Sequence, residues 1–261
     1  MLEPGALALI ADMVDHAQTH AHTMPKITDA HPGMTIDDGY DVQDELLRRW
    51  ELRGRRLYGY KAGLTSRAKM AQMGVDVPSF GLLMRDTCDP DGGVVSTAGL
   101  IHPRVEAEIA FVTAADLAGP DLSPDDILAA TAAIAPAIEI IDSRFERFKF
   151  DLPSVVADNG SSARLVIGGR ARRPATVDLG ALGVVLEING EPLSFASSGA
   201  VLGHPVTVMQ MLVGWLHGRG RILPAGSVVL TGAVTEAFPI KPGDAICARF
   251  QDLGSINVRV Q

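Results

Sequence analysis

The stretch RVEAEIAF, Arg104 to Phe111, sets two acids one residue apart, Glu106 and Glu108, among Val105, Ala107, Ile109 and Ala110. Side chains alternate faces along an extended chain. Val105, Ala107, Ile109 and Phe111 then share one face, while Glu106 and Glu108 share the other, which continues as Ala110 and Val112. Two carboxylates about 7 Å apart on a face that turns dry repel each other. One must keep a proton, or a cation must lie between them. Oxygen donors alone suit a hard divalent ion such as Mg²⁺, which retains water positions. The plain alternative is a half-exposed strand with both acids in water. A third acid, Glu139, stands alone in the apolar run Ala135–Ile141. Acids in such runs are seldom buried unless paired or metal-bound, so a salt bridge to a core arginine competes with a three-carboxylate site.

Three further stretches carry groups that could meet an anion. In YGYKAGLTS, residues 58–66, Lys61 precedes a Gly-Leu-Thr-Ser turn. Backbone N–H groups at such a turn attract anions, and a lysine there can anchor a carboxylate or exchange a proton; a surface lysine is the bland reading. VVADNGSS places Asp158, Asn159, Gly160, Ser161 and Ser162 between apolar flanks, as a plain turn or as a polar turn facing substrate. IDSRFERFKF offers Arg144, Arg147 and Lys149, either to hold an anionic substrate or as a solvated basic face. The seven histidines are scattered, with His16, His20 and His22 in a polar helical stretch, and no Ser-His-Asp or Cys-His arrangement stands out.

The elements that must position these groups follow from periodicity and caps. Leu7, Ile10, Ala11, Val14 and Ala17 keep helical spacing, and a second helix starts at Thr35, with Asp38 three residues on, and runs to Trp50. A short helix fits Ser66–Met73, ended by Gly74. Arg104–Val112 and Ala137–Ile141 read as buried strands, separated by a helix opened by Ser123-Pro124-Asp125-Asp126. Val184–Ile188 leads into an Asn189-Gly190 hairpin, Pro205–His217 is helical, and Val228–Thr231, Ala245–Phe250 and Ile256–Val260 are strands. The expected fold is α+β: a helical N-terminal part, 1–75, packed on a β-rich core, 76–261, as one integrated unit. Strands and helices do not alternate regularly, which argues against a Rossmann or TIM arrangement.

The formal net charge of −8 argues against a nucleic-acid partner, which demands a basic footprint. No run of about 18 apolar residues is present, so no membrane span is expected. The start, MLEPGALALIADMVDHAQTH, lacks a basic n-region and reads as an amphipathic helix, not a signal peptide. Cys88 and Cys247, the only two cysteines, imply reduced thiols in a cytoplasmic protein and exclude a Cys-type zinc site.

In order, GYKAGLTS, HPRVEAEIAF, PAIEIIDSR, VVADNGSS, AVLGHP, LPAGSVVLTG and KPGD resemble the hydratase/decarboxylase branch of the fumarylacetoacetate hydrolase superfamily, from about Ile36 to the end. GYKAGLTSRAKMAQMGVD, KFDLPSVVADN and QDLGS carry a closer match to its decarboxylases. The resemblance implies a β-rich roll or sandwich-like core with an N-terminal helical part. It implies Mg²⁺ or Mn²⁺ on Glu106, Glu108 and Glu139, Lys61 as the active-site lysine, and Ser161 and the backbone near Leu64 against the substrate carboxylate. Arg144 and Asp158 are further substrate-contact candidates from the residue pattern of their own stretches. The implied reaction is loss of CO₂ from 2-oxo-3-hexenedioate to give 2-hydroxypenta-2,4-dienoate, in the meta-cleavage of catechols. Hydration of that dienoate, or a non-catalytic subunit partnering a hydratase, are the alternatives. Related hydratases have Pro-Asp-Phe-Gly where this chain has Pro78-Ser79-Phe80-Gly81, which tilts the reading toward decarboxylation. The His–Glu pair of the hydrolases has no match. The implied partner is a small dicarboxylate, with a complex with the pathway's hydratase and self-association both left open.

Overall fold

The computed structural model describes residues 2–67, 70, 71, 75 and 77–261; the helix expected over Ser66–Met73, with its Gly74 stop, lies largely outside them. The chain opens with helices α1 (Pro4–His20), α2 (Ile27–Ala30) and α3 (Ile36–Leu52). Proline at its start and the apolar stripe Ile10, Ala11, Val14 and Ala17 define α1, and all four stripe residues are buried. Thr35 and Asp38 cap α3 reciprocally: each side chain accepts from the other's backbone N–H. Trp50, on α3, donates its indole N–H to Asp15 of α1 at 2.9 Å and ties the two helices together.

Strands then dominate. β1 (Leu57–Gly63), β2 (Ser79–Met84), β3 (Cys88–Pro90), β4 (Val94–Val95) and β5 (Arg104–Thr113) precede helix α4 (Pro124–Ala129). β6 (Thr131–Ile141), helix α5 (Leu152–Ala157) and β7 (Ser162–Ile167) follow, then the hairpin β8 (Gly183–Ile188) and β9 (Glu191–Ser197). Its two-residue turn is Asn189-Gly190, both at positive φ. Helix α6 (Pro205–Gly218), β10 (Val228–Ala233), β11 (Phe238–Pro239), β12 (Ala245–Phe250) and β13 (Gly254–Val260) complete the chain. An eight-stranded sheet runs β2-β1-β10-β5-β6-β7-β3 with β11 on β5, and a five-stranded sheet runs β4-β13-β12-β8-β9.

The change from helix to strand comes at Leu57, ahead of the boundary expected near residue 75. β1 lies between β2 and β10 inside the large sheet. Neither LYGYKAG nor SFGLLM alternates in polarity, because both faces of these strands are buried. Tyr60, Phe80, Val105, Ile109, Ile138 and Val166 join the main core with the helices and the small sheet. The opposite face carries a separate apolar cluster of Leu83, Ala110, Ala135, Ala137, Leu165, Val228 and Leu230. Leu83 on β2 and Leu165 on β7 meet in that cluster although their strands stand far apart in the sheet order, so the sheet curls around it.

The segment Ser198–Gly218, a 3₁₀ turn and a short bend leading into α6, is long and apolar enough by composition to cross a membrane. In the fold, Val206, Val208, Met209, Leu212, Val213 and Leu216 of α6 are buried in the protein's own core.

Candidate active site

The register of β5 on β6 stacks the inner face in layers. Arg104 lies opposite Ile141, Glu106 opposite Glu139, Glu108 opposite Ala137, and Ala110 opposite Ala135. Directly opposed residues of an antiparallel pair project to the same side. Two acids therefore face each other across the strands, the third sits one layer deeper, and the next layer is dry. One oxygen from each of Glu106, Glu108 and Glu139 lies within 4.8 Å of the others. Their residues are 7%, 0% and 0% exposed, which removes the solvated-strand reading. Among the described residues this is the one group of three acidic, histidine or cysteine side chains placed to share an ion.

Glu108 is held by a break in β10. The ladder to β5 shifts register between Leu230 and Ala233, and Gly232 N–H turns to donate to Glu108 Oε2 at 2.8 Å. Gly232 has φ of 104°, and a Cβ there would lie 2.1 Å from Thr65 Oγ1, so the position admits only glycine. Glu108 Oε1 and Glu139 Oε1 are buried with no hydrogen-bond partner among the described residues.

Lys61 enters from β1. Its Nζ forms an ion pair with Glu139 Oε2 at 3.1 Å, poorly aligned for a hydrogen bond, and donates to Gly160 O at 3.1 Å. Glycine at 81 makes room for the side chain: a Cβ there would stand 3.1 Å from Lys61 Cδ and 2.8 Å from Asn159 O, whereas one on Gly160 or Gly63 would only touch Nζ at 3.7 or 3.8 Å. Burial pushes the Lys61 ammonium toward neutrality, but Glu139, Glu108 and Glu106 outweigh it and hold its pKa above the ordinary lysine value. Burial first, then the charge of Glu139, lifts Glu108 well above the carboxylate range, and Lys61 offsets this only in part. Among the described residues one ammonium faces the three buried carboxylates. Carboxylate-only donors, with buried oxygens of Glu108 and Glu139 unpaired among those residues, fit a hard divalent cation.

The loop before β7 closes the curled sheet. Asn159, Gly160 and Ser161 all adopt left-handed backbone, with φ of 54°, 60° and 59°. The Asn159 side chain holds this turn: Oδ1 accepts from Leu82 N at 2.6 Å and Nδ2 donates to Leu82 O at 2.9 Å. The amide thus pairs with β2 as a neighbouring strand would. A side-chain oxygen followed by glycine reads only as a turn in sequence, so nothing local signals this clamp. The Ser161 hydroxyl is buried, with no partner among the described residues. Leu64, just past β1, is half-buried at φ of 58°.

Arg144 and Asp158 face each other in an ion pair. Arg144 donates from Nε to Asp158 Oδ1, from Nη2 to Asp158 O, and from Nη1 to Asp142 O at 2.6 Å. Both side chains are buried, and the guanidinium nitrogens are committed to the loop that presents Asn159 and Ser161. Arg147 and Lys149 are exposed. Ser79 opens β2 opposite Gly63, and a Cβ on Gly63 would lie 3.0 Å from Ser79 Oγ, which puts that hydroxyl beside the lysine. A mostly apolar cavity of about 460 Å³ lies against Ser79, lined also by Tyr40, Phe80, Met211 and Trp215, but it holds no acid of the cluster. His16, His20 and His22 are exposed on α1 and just beyond it, their rings stacked or edge-on.

Residues 61–261 match the fumarylacetoacetate (FAA) hydrolase C-terminal family, and the chain belongs to that family. Within it, the chain is 50% identical to 4-oxalocrotonate decarboxylase of Pseudomonas sp. (strain CF600), over 96% of this chain and 95% of that protein. It is 39% identical to 2-keto-4-pentenoate hydratase 1 of Dechloromonas aromatica (strain RCB), over 85% and 84%. The solved 4-oxalocrotonate decarboxylase from Pseudomonas putida G7, complexed with magnesium and adipate, superimposes with a TM-score of 0.98 at 47% identity, covering 100% of this chain and 99% of that one.

Proposed function

We propose that this chain is a carboxy-lyase that converts 2-oxo-3-hexenedioate (4-oxalocrotonate) to 2-hydroxypenta-2,4-dienoate and CO₂ in aromatic catabolism, with Mg²⁺ held by Glu106, Glu108 and Glu139. The observation that carries it is the buried carboxylate triad with Lys61 against it, in a chain half identical to a named decarboxylase. Carboxylate oxygens suit Mg²⁺ and Mn²⁺ alike, and the magnesium in a solved relative is what supports Mg²⁺.

A bound divalent ion supplies a Lewis acid for charge that gathers on the 2-oxo group. The residues do the rest. When the C5–C6 bond breaks, its electron pair moves through the C3–C4 double bond to the C2 oxygen, and one proton must reach that oxygen. Lys61 holds a proton at Nζ, kept there by the three acids, and is the group to deliver it. Gly160 O and Glu139 aim the ammonium. The Ser161 hydroxyl and the backbone at Leu64 bind the substrate carboxylate, while Arg144 and Asp158 serve by holding the Ser161 loop. The dry layer of Ala110, Ala135 and Leu230 beneath the acids excludes water and strengthens these interactions. No nucleophile is required. Cytoplasmic residence and association with the hydratase that consumes the product complete the reading.

Purified protein with Mg²⁺ and 2-oxo-3-hexenedioate should release CO₂ and form the dienoate. No CO₂ release, together with hydration of 2-hydroxypenta-2,4-dienoate, would establish the hydratase reading instead.

A further inference from the structure

The layer above the acids contains a second cation that the reaction just described leaves without a task. Arg104 stands two residues before Glu106 on β5, on the same face, opposite Ile141. Along a strand that places its Cα about 7 Å from that of Glu106. The residue is half-buried, and its guanidinium forms no ion pair or hydrogen bond with a described residue. Its contact is aromatic: the guanidinium carbon lies 4.7 Å from the centroid of the Phe148 ring. Phe148 is itself presented by a left-handed pair, Arg147 and Phe148, with φ of 57° and 59°. A guanidinium laid on a ring keeps its edge N–H donors free and its plane fixed, which suits a two-pronged grip on a carboxylate.

An incoming dicarboxylate brings two negative charges to a face already lined by three glutamates, so its distal end needs a cation of its own. Lys61 and Arg104 are the cations among the described strand residues of this face. Arg144 is fully committed elsewhere, and Arg147 and Lys149 are exposed. The two carboxyl carbons of an extended six-carbon diacid lie roughly 6 Å apart from ordinary bond lengths, close to the spacing of one layer to the next. We propose that Arg104 grips the distal carboxylate of the substrate and sets the preference for dicarboxylates over monocarboxylates. The inference rests on the proposed reading of the glutamate layer as the seat of the 2-oxo acid end.

Calorimetry on Mg²⁺-loaded protein tests it with two probes, adipate and its monocarboxylate counterpart hexanoate. Arg104→Gln should weaken adipate by about tenfold or more, leave hexanoate within twofold, and leave Mg²⁺ affinity unchanged. Arg104→Lys, which keeps the charge and loses the fork, should fall between. Unchanged adipate affinity in Arg104→Gln overturns the assignment. So does an equal loss for both acids, or a loss of Mg²⁺ binding, since either marks general damage. If Arg104→Gln does not fold, Arg104→Lys decides alone: parental adipate affinity overturns the proposal, and a selective loss upholds it. A parent protein that binds no adipate overturns it too. A parent that binds adipate selectively through Arg104 yet releases no CO₂ refutes the decarboxylation and leaves the dicarboxylate grip standing.

Discussion

Asn159 offers the sharpest test of how the site is held. Its side chain makes both of its hydrogen bonds to the backbone of Leu82, a residue 2% exposed, and its own backbone is left-handed. Asn159→Gly removes the clamp and tolerates the backbone; Asn159→Ala removes the clamp and strains the backbone. A buried backbone group left without a partner costs about 1–3 kcal/mol. The two orphaned groups of Leu82 therefore put the glycine variant about 2–6 kcal/mol below the parent. A non-glycine residue without a local side-chain bond adds about 1–2 kcal/mol in left-handed backbone. The unfolded-state freedom of glycine takes back about half of that difference, so alanine should cost about 1 kcal/mol more than glycine. A parent in the middle of the usual range of about 5–15 kcal/mol leaves both variants folded at room temperature. Urea unfolding of metal-free protein reads the result as a lower midpoint at unchanged slope. Turnover should fall as well, because Gly160 O, the next carbonyl, accepts from Lys61. A glycine variant within about 1 kcal/mol of the parent at full turnover would refute the clamp.

Other expectations follow from the same geometry. In metal-free protein folded Glu108 keeps its proton where the unfolded chain has lost it, so stability should fall as pH rises from the ordinary carboxylate range through the raised pKa. Glu108→Gln should flatten that slope and raise the melting temperature in chelator at pH 8, yet abolish Mg²⁺-dependent turnover; a variant that keeps its activity would remove Glu108 from the ligand set. Lys61→Ala should cut kcat by about a hundredfold or more while Mg²⁺ binding stays measurable, and unchanged turnover would end its proton role. Gly232→Ala would set a Cβ 2.1 Å from Thr65 Oγ1 and displace the N–H that holds Glu108, so both the melting temperature and Mg²⁺ affinity should drop. Ser79→Asp would add a carboxylate beside Lys61 and should raise hydration of 2-hydroxypenta-2,4-dienoate relative to CO₂ release; an unchanged ratio in a paired assay would detach Ser79 from the choice of reaction.

What the chain states locally could be read without coordinates. Alternation placed Glu106 and Glu108 on one face of β5 above a dry stretch, because strand periodicity depends on the backbone alone. The Thr35–Asp38 box, the Asn189-Gly190 turn and the α6 stripe are equally short-range, and each lies where its residues point. Strands β1 and β2 escaped that reading because burial on both faces erases alternation. The rest belongs to tertiary structure. Only the pairing register puts Glu139 beside Glu106, and only the curl of the sheet brings the loop before β7 to Leu82 and to Lys61. Only the folded chain turns Arg144 onto Asp158 and lays the Arg104 guanidinium on Phe148 in the layer next to the acids. Residue type specifies what a side chain can bind; which partner reaches it across a hundred residues of chain is decided by packing, and no local pattern encodes that.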